Sequence, residues 1–111
     1  MEYRSPQPKT KAESERIFIE GRPEEVSEAI IAAALHDEDR EWVERWVIHL
    51  SRHENPSTRS AAAISLGHLA RLHGEVSQTA IEAIRHLLTD ERTAGSAGDG
   101  LDDVAMFCKS R

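Results

Sequence analysis

The chain has 111 residues, of which 31% are charged, 39% hydrophobic and 5% aromatic, and its formal net charge is −6. That length makes one domain with room for a core but not for a core plus a deep catalytic cleft, and the composition is globular rather than disordered. The acidic balance excludes a nucleic-acid binder, which needs cations to displace counterions from phosphates.

The acids are unevenly spread: ten stand against four bases from Glu20 to Glu54, and five against one from Asp90 to Asp103. Such a surface has two readings, plain solubility or attraction of a basic protein. The single cysteine, Cys108, rules out an internal disulfide and fits a reducing compartment. No run approaches the roughly 20 apolar residues that span a bilayer. Met1 to Lys11 is polar and has no signal-peptide core. The expectation is a cytoplasmic protein with no membrane contact.

In chain order, residues 1–9 are expected to form an extended arm, because Pro6 and Pro8 lack an amide proton and bias the preceding residue away from helix. Tyr3 is the one aromatic that could anchor it. Residues 10–111 form the domain. Thr10 or Ser14 caps a short helix through Glu20, with Ile17, Phe18 and Ala12 on one side and Gly21 as its stop. Pro23 opens the next helix, where its missing N–H costs nothing, and Val26, Ala29, Ile30, Ala33 and Ala34 follow at helical spacing. The segment His36–Asp39 breaks the pattern, and Asp37 or Asp39 caps a helix carrying Trp42, Val43, Trp46, Val47 and Leu50 that ends near His53. Asn55-Pro56 starts a long helix with Ala62, Ile64, Leu66, Leu69 and Ala70 packing and Gly74 as its stop. Ser77 caps the next, with Ala80, Ile81, Ile84, Leu87 and Leu88. The last begins near Thr93 and carries Ala97, Leu101, Val104, Ala105 and Phe107. No segment alternates with the period of a strand.

The chain repeats itself. At an offset of 35, Asn55 falls on Asp90, Ala62 on Ala97, Leu66 on Leu101 and Leu69 on Val104. Near 36, Val26 falls on Ala62 and Ile30 on Leu66, and at 38 Val43 falls on Ile81 and Leu50 on Leu88. Each unit is a two-helix hairpin that buries its apolar face only by stacking on its neighbours. The predicted fold is all-α, a short HEAT/armadillo-like stack of antiparallel hairpins with about five to six helices.

The segments YRSPQP (Tyr3–Pro8), AALHDEDREWV (Ala33–Val43), LGHLARLHG (Leu66–Gly74) and AGSAGDGLDDVAMF (Ala94–Phe107) resemble the small single-domain HEAT-repeat proteins of bacteria. LGHLARLHG and the closing LDDVAMF are the most specific of these. Such proteins resemble immunity proteins found beside secreted polymorphic toxins. The resemblance implies a protein that binds and neutralises a cognate toxin; the alternative is a general scaffold or adaptor for another protein partner. Gly98 and Gly100 depart from the pattern, since each costs up to about 1 kcal/mol against Ala in a helix. The last helix is therefore expected to start late or be loose.

For the partner-binding surface the prediction is Asp37, Glu38, Asp39, Glu41, Trp42, Glu44 and Arg45, on the acidic loop and the exposed side of the helix that follows, which would line the concave face of the stack. A basic toxin domain is the partner that the charge favours. Trp42 either packs between hairpins or, if exposed, makes an aromatic hot spot ringed by acids. The six histidines include His49 and His53, four apart on one helical face, but no zinc-ligand spacing accompanies them. Asp99, Asp102 and Asp103 lie within about a turn, yet acid–base chemistry needs one of them buried. With no phosphate loop and no nucleophile motif, neither an enzyme nor a cofactor or metal site is expected.

Overall fold

The computed structural model describes residues 8–108, so most of the expected N-terminal arm, Tyr3 included, lies outside the described residues. The six helices are α1 (Lys11–Glu20), α2 (Pro23–His36), α3 (Arg40–Leu50), α4 (Pro56–His73), α5 (Gln78–Arg85) and α6 (Ala94–Phe107), and a 3-10 turn, His86–Thr89, extends α5. Among the described residues there is no strand.

Local chemistry sets the helix starts. The Thr10 hydroxyl accepts from the Glu13 amide at 3.1 Å, and the Glu13 carboxylate accepts from the Thr10 amide at 2.9 Å. This reciprocal pair satisfies two orphan donors and selects Thr10 over Ser14, which is buried. Asp39, not Asp37, caps α3 by accepting from the Trp42 amide at 3.1 Å. Asn55 and Ser77 cap α4 and α5 in the same way. Gly74 stops α4 in the left-handed conformation, φ 72°, which only glycine adopts freely. Gly21 ends α1 in an ordinary extended conformation.

The helices form two layers. α4 lies between α2 and α6, its strongest neighbours, while α3 and α5 pack beneath it. α1 joins the second layer beside α3, where Phe18 meets Trp46 at 4.7 Å between ring centroids. α2, α4 and α6 run in one direction. Ser27 near the start of α2 meets Thr58 near the start of α4 at 3.1 Å between hydroxyls. Arg71 near the end of α4 reaches Asp103 near the end of α6 at 2.8 Å. The repeated positions Val26, Ile30, Ala62, Leu66, Leu69 and Ala97 are all buried between the layers. Each large one contributes about 1.5–3 kcal/mol by burial.

Some predicted core positions turn outward. Ile64, Leu88 and Phe107 are exposed, as are Ala12 and Ala105. Leu88 fails to copy Leu50 because the chain tightens into the 3-10 turn at His86, which rotates it off the core face. The last helix also differs from expectation. α6 is continuous from Ala94, and Gly100 is buried where a Cβ would lie 2.3 Å from the Ala63 carbonyl oxygen. The glycine is there to let two backbones approach.

Candidate functional site

The predicted partner-binding residues divide by what they touch. Asp37 accepts from the Asp39 amide at 2.8 Å and from Lys11 Nζ at 3.3 Å, and Asp39 Oδ2 lies 3.7 Å from the same ammonium. These two carboxylates tie the loop to α1. Lys11 also sits 5.2 Å over the Trp42 ring, a cation–π contact.

Trp42 is only 5% exposed, which removes the exposed hot spot. Its indole N–H donates to Glu15 Oε2 at 2.7 Å, and Trp46 donates to the same oxygen at 3.4 Å. Glu15 stands outside the predicted set, because no spacing in the chain links it to a residue 27 positions away.

Glu44 is 4% exposed, not outward-facing as expected. It accepts from the Arg40 guanidinium and, at 3.1 Å, from the Ser77 amide at the start of α5. It is a buried bracket between hairpins. Burial opposes the Arg40 charge, but the bonded Glu44, with Glu75 and Glu41 nearby, outweighs it and raises the Arg40 pKa. Glu38 and Arg45 are the predicted residues that point freely to solvent, and Glu41 is exposed with its carboxylate 4.0 Å from Arg40.

Charge is segregated between the two layers. On α3, in the turn after it and on α5, Arg45, Arg52 and Arg85 are exposed and form no ion pair among the described residues, whereas Arg40 is held by Glu44. The other layer consumes its arginines. Arg59 and Arg92 share Asp90 at 3.1 and 3.0 Å, and Arg71 holds Asp103 at 2.8 Å. Glu28, Asp99 and Asp102 remain exposed without a partner among the described residues. The face of α3 expected to be acidic therefore carries exposed charges of both signs, Glu38, Glu41, Glu54 and Glu82 against Arg45, Arg52 and Arg85.

Arg92 bonds through side chain and backbone, with Arg59 close by, and together they hold the Asp90 carboxyl down to about 2. A depressed carboxylate pKa contributes stability above its unfolded value and loses it as pH falls through the folded one. The wild-type unfolding midpoint is thus expected to drop between about pH 4 and 2. Asp90→Asn should lower it at neutral pH and flatten that part of the profile, as thermal unfolding across the range would record. An unchanged slope in the variant would show that the pair adds nothing.

The remaining chemical candidates have structural jobs. His53 Nδ1 accepts from the Asn55 amide at 3.0 Å, whereas His49 packs its edge on Trp46, so the two do not converge. Burial, and then the Arg71 guanidinium beside it, pulls the His68 pKa below its ordinary value against the pull of Asp103. Burial pushes the Cys108 thiol up, with Glu44 and Glu75 adding to the effect, which disfavours a reactive thiolate. Asp103 is paired with Arg71, and Asp99 and Asp102 are exposed, so the three do not share a buried site. Among the described residues, no three His, Cys, Asp or Glu side chains are grouped to hold a metal ion. No helix of the described residues is long and apolar enough to cross a membrane.

The molecule is therefore an all-α stack of antiparallel hairpins that presents two charged faces and shallow furrows. A chain in the crystal structure of a CDI complex from Cupriavidus taiwanensis LMG 19424 shares this fold with a TM-score of 0.84 and 31% sequence identity, over 96% of this chain and 97% of that one. The protein belongs to the same family as that chain. No family model and no curated protein matches it.

Proposed function

We propose that the protein is an immunity protein of a contact-dependent inhibition system, which binds a cognate toxin and neutralises it in the cytoplasm of the cell that makes it. The observation that carries this reading is the near end-to-end likeness to a chain of a CDI complex. The repeated buried positions of α2 and α4 support reading the stack as HEAT-like, a fold that works through its surfaces. The net charge of −6 favours a basic toxin domain, because opposite charge accelerates encounter.

Co-expression with the toxin domain encoded by the adjacent reading frame tests the reading. Cells should survive the toxin when the protein is present, and the two should co-purify. If cells are not protected and no complex forms, the protein is not an immunity protein for that toxin.

A further inference from the structure

We propose that the toxin docks on the outer face of the α2–α4–α6 layer, and not on the α3 ridge, by inserting an apolar side chain flanked by lysines or arginines. This rests on the immunity reading and assigns it a surface.

The furrow between α2 and α4 is lined by Glu24, Ile31, Ser57, Ser60, Ile64 and the Asp90-bound Arg92, among others, and at ≈ 660 Å³ it exceeds the hollows of ≈ 300 to 450 Å³ along α3. Its floor is apolar and partly uncovered. Ile64 is 37% exposed, while the large repeated positions of the same helix, Leu66 and Leu69, are fully buried. Ile31 is half-buried beside it. Ser57, Ser60, Ile64, His68 and Arg71 recur at three- and four-residue steps, so they form one outward stripe of α4.

The rim carries the charge. Glu24 and Glu28 lie one turn apart on α2, so they share a side of the helix, and Ile31 follows Glu28 by three. On α6, Asp99 precedes Gly100, which faces Ala63 of α4, and Met106 follows Asp99 by seven; both are exposed. That spacing puts Asp99 on the outer side of the layer. Among the described residues, the arginines of this layer are already engaged. Arg59 and Arg92 share Asp90, with exposed Glu91 adjacent, and Arg71 is bound to Asp103. Among the described residues, the unpaired charges of this layer are therefore Glu28, Glu91, Asp99 and Asp102, all negative. On and just after α3 and on α5, by contrast, the exposed Arg45, Arg52 and Arg85 are unpaired among the described residues and offset the exposed Glu38, Glu41, Glu54 and Glu82, so a basic surface meets mixed rather than uniformly negative charge. An apolar furrow with a carboxylate rim complements a basic segment with an apolar tip.

The test uses the full chain and the purified toxin domain encoded beside it. Association is followed by stopped-flow at two salt concentrations, and dissociation by displacement. Two charge-reversed proteins are compared, Glu28→Lys with Asp99→Lys, and Glu38→Lys with Glu41→Lys, together with Ile64→Asp. All five positions are exposed, so circular dichroism should report folds like the wild type. The Glu28/Asp99 variant should associate at least about tenfold more slowly and lose most of its salt dependence. Ile64→Asp should dissociate at least about tenfold faster, as a buried interface anchor does. The Glu38/Glu41 variant should stay within about twofold of wild type in both. The proposal is overturned if the Glu28/Asp99 and Ile64 variants behave as wild type, or if the Glu38/Glu41 variant loses as much as they do. Wild-type protein that fails to bind the toxin at all removes the immunity reading itself, a result distinct from either.

Discussion

Gly100→Ala is expected to destabilise the protein by about 2 kcal/mol, while Gly98→Ala, two positions away on the same helix, stabilises it by about 0.5–1 kcal/mol. Both substitutions add one methyl group to α6 and gain the same helix propensity. They differ in what the methyl meets. At Gly98 nothing lies within 4 Å of it. At Gly100 it would lie 2.3 Å from the backbone oxygen of Ala63 and 3.2 Å from its carbonyl carbon. That obstacle is main chain held in the α4 hydrogen-bond ladder, so it cannot rotate away as a side-chain tip would. Relief requires α6 to move off α4, the closest neighbour it has. Overpacking of this kind costs about 1–3 kcal/mol or more, and the propensity gain of up to about 1 kcal/mol offsets only part of it. For a domain of this size the loss corresponds to about 10 °C in Tm. Calorimetry or chemical denaturation of the two variants would decide it. Equal midpoints for the two would mean that the helix contact does not constrain Gly100.

Glu44→Ala should cost about 3 kcal/mol, an effect on folding rather than on partner contact. The carboxylate is 4% exposed and serves two donors on different hairpins, the Arg40 guanidinium and the Ser77 amide. Truncation leaves Arg40, with only 20% of its side chain exposed, without its main counter-charge, and leaves the first turn of α5 without an acceptor. Both losses are desolvation penalties left uncompensated, which exceed the net worth of the bonds themselves. Pairing Glu44→Met with Arg40→Leu removes the orphaned charge and should recover more than half of the loss. Urea titration of the two single variants and the double variant gives the coupling directly. If the double variant is as unstable as the sum of the singles, the two side chains do not act as a pair. Folded Glu44→Ala should still bind the toxin with wild-type kinetics, as the Glu38/Glu41 variant should; the loss of stability is what separates buried Glu44 from the exposed Glu38 and Glu41.

The helical architecture is legible in the chain because its causes are local. Thr10, Asp39, Asn55 and Ser77 sit within three residues of the amides they cap. The apolar positions that build the core recur every three or four residues within each helix, and the repeat offset copies them from hairpin to hairpin. Those signals are present in any window of the sequence, so they establish the helices, their order and the stacked hairpins.

The fate of each charge and ring is decided only by tertiary structure. Lys11 meets Asp37, Glu15 meets Trp42, Arg59 meets Asp90, Arg71 meets Asp103 and Glu44 meets Ser77 across 26 to 33 residues, a separation with no periodic signature. These contacts bury Trp42 and Glu44, engage Arg40, Arg59, Arg71 and Arg92, and leave Arg45, Arg52 and Arg85 unpaired among the described residues. The −6 of the composition is a sum, and a sum carries no position. Gly100 shows the same limit. Its lack of a side chain looks like a weakness in α6 until Ala63 is brought beside it, because helix propensity is a property of one segment and close packing is a property of two.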